Sequence, residues 1–133
     1  MSELDVDPRA VALLNAFMQA LSLPDPLESA RAVLPFVHRS LKTAAGDDLS
    51  RDLRQFGHKK AHGNARHYAI PVHVTRVRTT RTTGIGFEDT AEPGRVDDYF
   101  ITKRDGVNGM PAPVKIFFPA DGGPPLVSYM GSL

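Results

Sequence analysis

The sequence predicts an α+β domain in which three or four helices precede an antiparallel sheet of four or more strands. Three observations predict it. Apolar residues in the first half recur at three- and four-residue steps, one face of an amphipathic helix. In the second half they alternate with polar residues and are broken by Gly-, Asp- and Pro-rich turns. The chain of 133 residues has the length of one domain, 1–133, and no internal repeat or composition step divides it.

Asp7-Pro8 is an N-cap and first-turn pair, and Val11, Leu14, Phe17, Met18 and Leu21 form the buried stripe that follows. Ser22-Leu23-Pro24 ends this helix. Asp25-Pro26 repeats the start signal, with Glu28 placed as the far arm of a capping box. Leu27, Ala30, Val33 and Leu34 continue at helical spacing until Pro35 ends or kinks the helix. Phe36 to Leu41 has room for one more turn. Leu49, Leu53 and Phe56 mark a third helix, capped by Asp48 and stopping at Gly63-Asn64. Tyr68, Ile70, Val72 and Val74 then alternate with Ala69, Pro71, His73 and Thr75, a half-buried strand. The phase slips at Val77, which places a bulge near Thr75-Arg76. The Arg-Thr-Thr repeat of residues 78–83 reads as strand, and Glu88 to Gly94 as a polar loop. Further strands are expected at Val96–Arg104, Val114–Phe118 and Leu126–Ser132. The Asp105-Gly106, Asn108-Gly109 and Asp121-Gly122-Gly123 turns separate them.

This order of elements resembles the nuclear transport factor 2-like superfamily of cystatin-like α+β cones. The likeness rests on the opening helix Val11 to Leu21, the short helix after Asp25-Pro26, the Asp105-Gly106-Val107 turn and the closing hairpin. The resemblance implies helices packed on the concave face of a curved sheet, enclosing a pocket. Enzymes of that superfamily, such as ketosteroid isomerase, scytalone dehydratase, limonene epoxide hydrolase and polyketide cyclases, place carboxylate, His or Tyr groups there. Other members only bind or scaffold.

A net charge of +1 hides a segregation. Residues 1–50 carry four Lys/Arg against seven Asp/Glu, residues 51–82 eight against one, and residues 83–133 four against seven. The basic stretch invites nucleic acid or another partner. No nucleic-acid motif accompanies it, so a solvated strand face neutralised by the acidic thirds is the favoured reading. Zero Cys excludes disulfides, thiol nucleophiles and Cys-ligated metal. His58 and His62 have the spacing of two metal ligands, but carboxylates are scarce around them and Lys59 and Lys60 repel a cation. The favoured reading makes them positive groups in a helix's last turn. No metal or cofactor is implied. Neither a signal peptide nor a membrane span is expected, and the cytoplasm is the expected compartment. Phosphate-loop and acyl-transfer motifs are absent.

Strand parity puts Asp98 with Val96 and Phe100. If that face is the core, Asp98 enters the pocket as a candidate acid or base, with His73 or Tyr68 as its partner. Phe17, Met18, His38, Tyr68, Phe100 and Tyr129 are expected to line the pocket. The competing reading pairs the Asp97-Asp98 carboxylates with Arg76 or Arg78 on the neighbouring strand. Apolar residues on both sheet faces, Phe117 and Tyr129 among them, point to a homodimer through the open face unless the loop Gly84 to Pro93 folds over it. The function expected is therefore a pocket protein for a small, mostly apolar ligand, with acid/base catalysis as an extension. The alternative is a partner- or nucleic-acid-contacting module acting through residues 51–82.

Overall fold

The computed structural model describes residues 6–81 and 92–133. Among these, three α-helices and a four-stranded antiparallel sheet make an α+β fold. Helix α1 is Pro8–Leu21. Asp7 caps it by accepting the Arg9 N–H at 2.8 Å, and Ala10, Leu14, Phe17, Met18 and Leu21 are its buried stripe. Helix α2, Pro26–Ala32, is capped by Asp25 accepting the Leu27 N–H at 3.2 Å. Leu27, expected on the packed face, is exposed; α2 buries Ser29 and Ala30 instead. Pro35 lies in a 3-10 turn, Leu34–Phe36, that follows the end of α2.

The third helical segment starts at Arg51, passes through a π-helical turn at Leu53–Gly57 and continues as α3, His58–Asn64. Leu49 precedes it and forms a β-bridge to Lys42. The π turn admits one extra residue and shifts the phase of the apolar stripe. The buried face continues at His58, Ala61 and Ala65, and Phe56, expected on that face, is 70% exposed. A Cβ at Gly57 would lie 2.6 Å from Leu53 Cδ1, so the glycine leaves room for the Leu53 side chain in its present position.

Strands β1 (Val74–Arg81), β2 (Gly94–Ile101), β3 (Ala112–Pro119) and β4 (Leu126–Tyr129) lie side by side in sequence order, each antiparallel to the next. The expected first strand begins late. Tyr68 makes an isolated bridge to Lys103, and regular pairing starts only at Val74. Pro71 offers no N–H to a ladder, so the alternation of residues 68–73 does not become a strand. The bulge expected near Thr75-Arg76 is present as a register shift between Val74 and Arg76. The polar loop expected before β2 lies largely outside the described residues.

The helices cover the sheet face that carries Tyr99, Ile101, Val114, Ile116 and Phe118. The opposite face carries Val96, Asp98 and Phe100 on β2, paired with Phe117, Lys115 and Pro113 on β3. Phe117, offered above as a dimer contact, is fully buried within one chain, with the His38 ring edge-on at 5.1 Å. It has no surface left to give a partner; Tyr129 remains exposed. Beyond β4, Val37 pairs parallel with Val127, and the His38 N–H donates to the Val127 carbonyl at 2.7 Å. No helix among the described residues is long and apolar enough to cross a membrane.

Tyr99 joins the two layers. Its ring is fully buried, and its hydroxyl accepts the Asp7 N–H at 2.9 Å, at the start of α1. Burial pushes the phenol above its ordinary pKa. Tyr99→Phe keeps the ring and removes the acceptor. It is expected to lower unfolding stability by about 1 kcal/mol in a urea titration, the worth of one hydrogen bond whose donor stays partly accessible to water.

Candidate functional site

Asp98 is 1% exposed and is held between two cations. Arg78 Nη2 donates to its Oδ2 at 2.8 Å and Lys115 Nζ to its Oδ1 at 2.9 Å. These partners come from the strands on either side, in register with it. Asp98 shares a face with Val96 and Phe100, as strand parity predicts. Parity leaves open which face is the core: Tyr99 and Ile101 belong to the cluster shared with the helices, so Asp98 points away from the helices. The expected pairing with His73 or Tyr68 is not made, and the ion-pair reading with Arg78 is what the structure contains. Phe100 is half-buried beneath the guanidiniums of Arg76 and Arg78, at 5.3 and 5.5 Å from its centroid. Phe17 and Met18 are core residues with no exposed surface. Tyr129 lies half-exposed on edge strand β4.

His38 is buried and engaged on both nitrogens. Nε2 lies 2.8 Å from Glu92 Oε1, and Nδ1 accepts the Ser40 N–H at 3.0 Å, capping the 3-10 turn Arg39–Leu41. Arg39 adds a second contact to Glu92 at 3.2 Å. His38 thus anchors the chain at the β4 edge rather than lining a cavity with Asp98.

Tyr68 and His73 are brought together, in a different place. The 3-10 turn Ala65–His67 carries the chain out of α3 and against the segment beyond β2. The Arg104 N–H donates to the His67 carbonyl, Ala69 to Thr102, and Thr102 to the His73 carbonyl, at 2.8, 3.1 and 3.1 Å. These bonds form an open groove of about 530 Å³ whose rim includes Arg66, Tyr68, His73, Lys103, Arg104 and Asp105. Lys103 is fixed within it. Its Nζ donates to the Tyr68 hydroxyl at 3.0 Å and lies 4.2 Å from the ring centroid. Its stem crosses Gly109, where φ is +141° and a Cβ would lie 2.9 Å from Lys103 Cε. Among the described residues, Arg66, Lys103 and Arg104 make no ion pair. Asp105 is the one carboxylate among the groove's described lining residues.

No family model matches this chain, and no curated protein or solved structure does either. The function rests on the chemistry of these side chains. The sequence pattern singles out neither Lys103 nor Arg104, and it counts Arg66 only within the basic stretch 51–82. Their signal was the Arg66-His67 and Lys103-Arg104 pairs, one before Tyr68 and one after β2, which the Tyr68–Lys103 bridge makes neighbours.

The His58–His62 pair has another use. His58 opens α3 rather than ending it, and it is buried. The Ser29 hydroxyl donates to the Leu21 carbonyl at 2.9 Å, so at 3.0 Å it accepts from His58 Nε2–H. His62 Nε2 donates to the Leu23 carbonyl at 2.7 Å. Among the described residues no group of three His, Asp or Glu side chains is placed to hold a metal. Burial, reinforced by His62 and Arg54, holds the His58 imidazole down at about 4, against an ordinary value of 6.5.

Two outcomes follow from these clusters. Between the unfolded and folded pKa of His58, the unfolded chain binds the extra proton, so stability falls as pH drops from 6.5 toward 4. The loss from this group is about 2 kcal/mol between pH 7.5 and pH 5, and His58→Gln removes that component from the stability–pH curve. Asp98→Asn leaves Arg78 and Lys115 facing a neutral amide. Both are partly solvated, so the expected cost is about 2 kcal/mol by denaturant unfolding, less than for a fully enclosed ion pair.

Proposed function

We propose that this chain is a non-catalytic small-ligand-binding protein whose ligand presents an anionic group to the groove around Tyr68 and Lys103. The observation that carries the reading is Lys103. Its ammonium is held by the Tyr68 hydroxyl and ring, without a carboxylate among the described residues. A lysine fixed in this way loses little conformational freedom on binding, and Arg66 and Arg104 raise the local positive potential. The mostly apolar ligand expected from the sequence is replaced by an anionic one, because the rim is cationic. Acid/base catalysis by Asp98 and His73 is not part of the proposal, since Asp98 is committed to Arg78 and Lys115. The order of helices and strands supports placing the chain among α+β cones of the nuclear transport factor 2-like type.

The probe is inorganic pyrophosphate, followed by titration calorimetry. The expected result is saturable binding at one site, weakened as salt rises and weakened about tenfold or more by Lys103→Met. Methionine keeps the stem's packing over Gly109 and removes the charge. Absence of saturable binding, or equal affinity of the Lys103→Met protein, overturns the proposal.

A further inference from the structure

We propose that the outer edge of β1 is a docking site for an extended acidic segment of a partner protein, which adds to the sheet as a strand and places alternate carboxylates against Arg76 and Arg78. This inference is independent of the groove around Lys103.

The sheet order leaves β1 at one edge. At the other edge, β4 is met by Val37 and His38. Among the described residues, only β2 pairs with β1, and no strand lies on its outer side. Alternate backbone N–H and C=O groups of such an edge are the recognition element for an added strand.

The side chains narrow the occupant. Arg76 and Arg78 are two apart, so they share a face. Both guanidiniums stack over the Phe100 ring, which anchors them from the next strand. Arg78 is also tied to buried Asp98, whereas Arg76 is exposed and has no carboxylate among the described residues. The pair is thereby ordered before any partner arrives. A strand added to this edge would bring its own alternate side chains beside them, about 7 Å apart along the strand. Carboxylates at positions i and i+2 complete the match. A second copy of β1 does not fit, because the strand Val74–Arg81 carries Arg76, Arg78 and Arg81 and no acid. Directly paired like charges are destabilising.

The test uses fluorescein-labelled peptides of Val, Thr and Glu, read by anisotropy with the full chain. One carries Glu at alternate positions. A second has the same composition with its Glu residues adjacent, so that only one faces the arginines. The alternating peptide is expected to bind about tenfold more tightly than the adjacent one. N-methylation of the peptide amides along one edge should abolish binding. Arg76→Glu should lose binding and Arg76→Lys should retain most of it; Arg76 is exposed, so neither change touches the core. Lys103→Met should leave peptide affinity unchanged, which separates this site from the groove. The proposal is overturned by no saturable binding, by equal affinity for the two peptides, by binding indifferent to N-methylation, or by preference for a single-stranded oligonucleotide over the alternating peptide. A dimer in light scattering that is broken by charge reversal at Arg76 also overturns it, because a second copy would then be the occupant.

Discussion

Two consecutive buried carboxylates dictate how this sheet is assembled. Asp97 and Asp98 are 4% and 1% exposed and point to opposite faces of β2. Each must be met by donors on its own face, because an uncompensated buried charge costs more than a domain of this size can spare. Asp97 accepts from Thr79 Oγ1 at 2.8 Å and Arg95 Nε at 3.1 Å. Asp98 accepts from Arg78 and Lys115. A slip of one residue between β1 and β2 would turn Arg78 to the Asp97 face and Thr79 to the Asp98 face. The ion pairs therefore select the register, and the apolar residues on the same strands follow: Tyr99, Val114 and Ile116 toward α1, Val96 and Phe117 away from it.

The helical half is held by neutral polar groups. Ser29 of α2 receives His58 from α3 and donates to the last turn of α1, so one hydroxyl links three helices. Burial holds that imidazole in its neutral form, with Nε2–H as the donor to Ser29. The π turn before α3 is what rotates His58 inward. With regular α-helical spacing, the buried stripe through Leu53 would continue at Phe56, and the aromatic ring rather than the imidazole would face α2.

The parts of the fold governed by local rules were legible in the sequence. The two Asp-Pro caps, the α1 stripe, the Asp105-Gly106 turn and the bulge after Val74 follow from residue chemistry within a few positions. Features that depend on distant partners were not. Periodicity places Asp98 beside Val96 and Phe100, yet it cannot say which face α1 will choose. Leu27 and Phe56 match the helical period and are exposed, because one helix is too short to bury a second stripe and the other changes period midway. The candidate site was half legible. Tyr68 and His73 stand out in the sequence as polar residues in an alternating stretch, but Lys103 becomes their neighbour only through its bridge to Tyr68, which joins the chain leaving α3 to the segment beyond β2.

Charge provides the remaining link between sequence and function. The basic third of the chain and the acidic remainder do not cancel residue by residue. Asp97 and Asp98 engage Arg95, Arg78 and Lys115, while Glu92 engages His38 and Arg39. Arg66, Arg76, Lys103 and Arg104 are among the described cations that make no ion pair. They fall in two places, the groove beyond β2 and the outer edge of β1. Exposed cations on an edge strand discourage pairing with neutral or basic strands. The same cations reward an acidic one, so protection against self-association and selection of a partner have a single physical origin. In the groove the cation is restrained rather than exposed along an edge. Lys103 is not splayed into water but laid against Tyr68 and Gly109, and a charge restrained before binding is better placed to discriminate between anions than a mobile one.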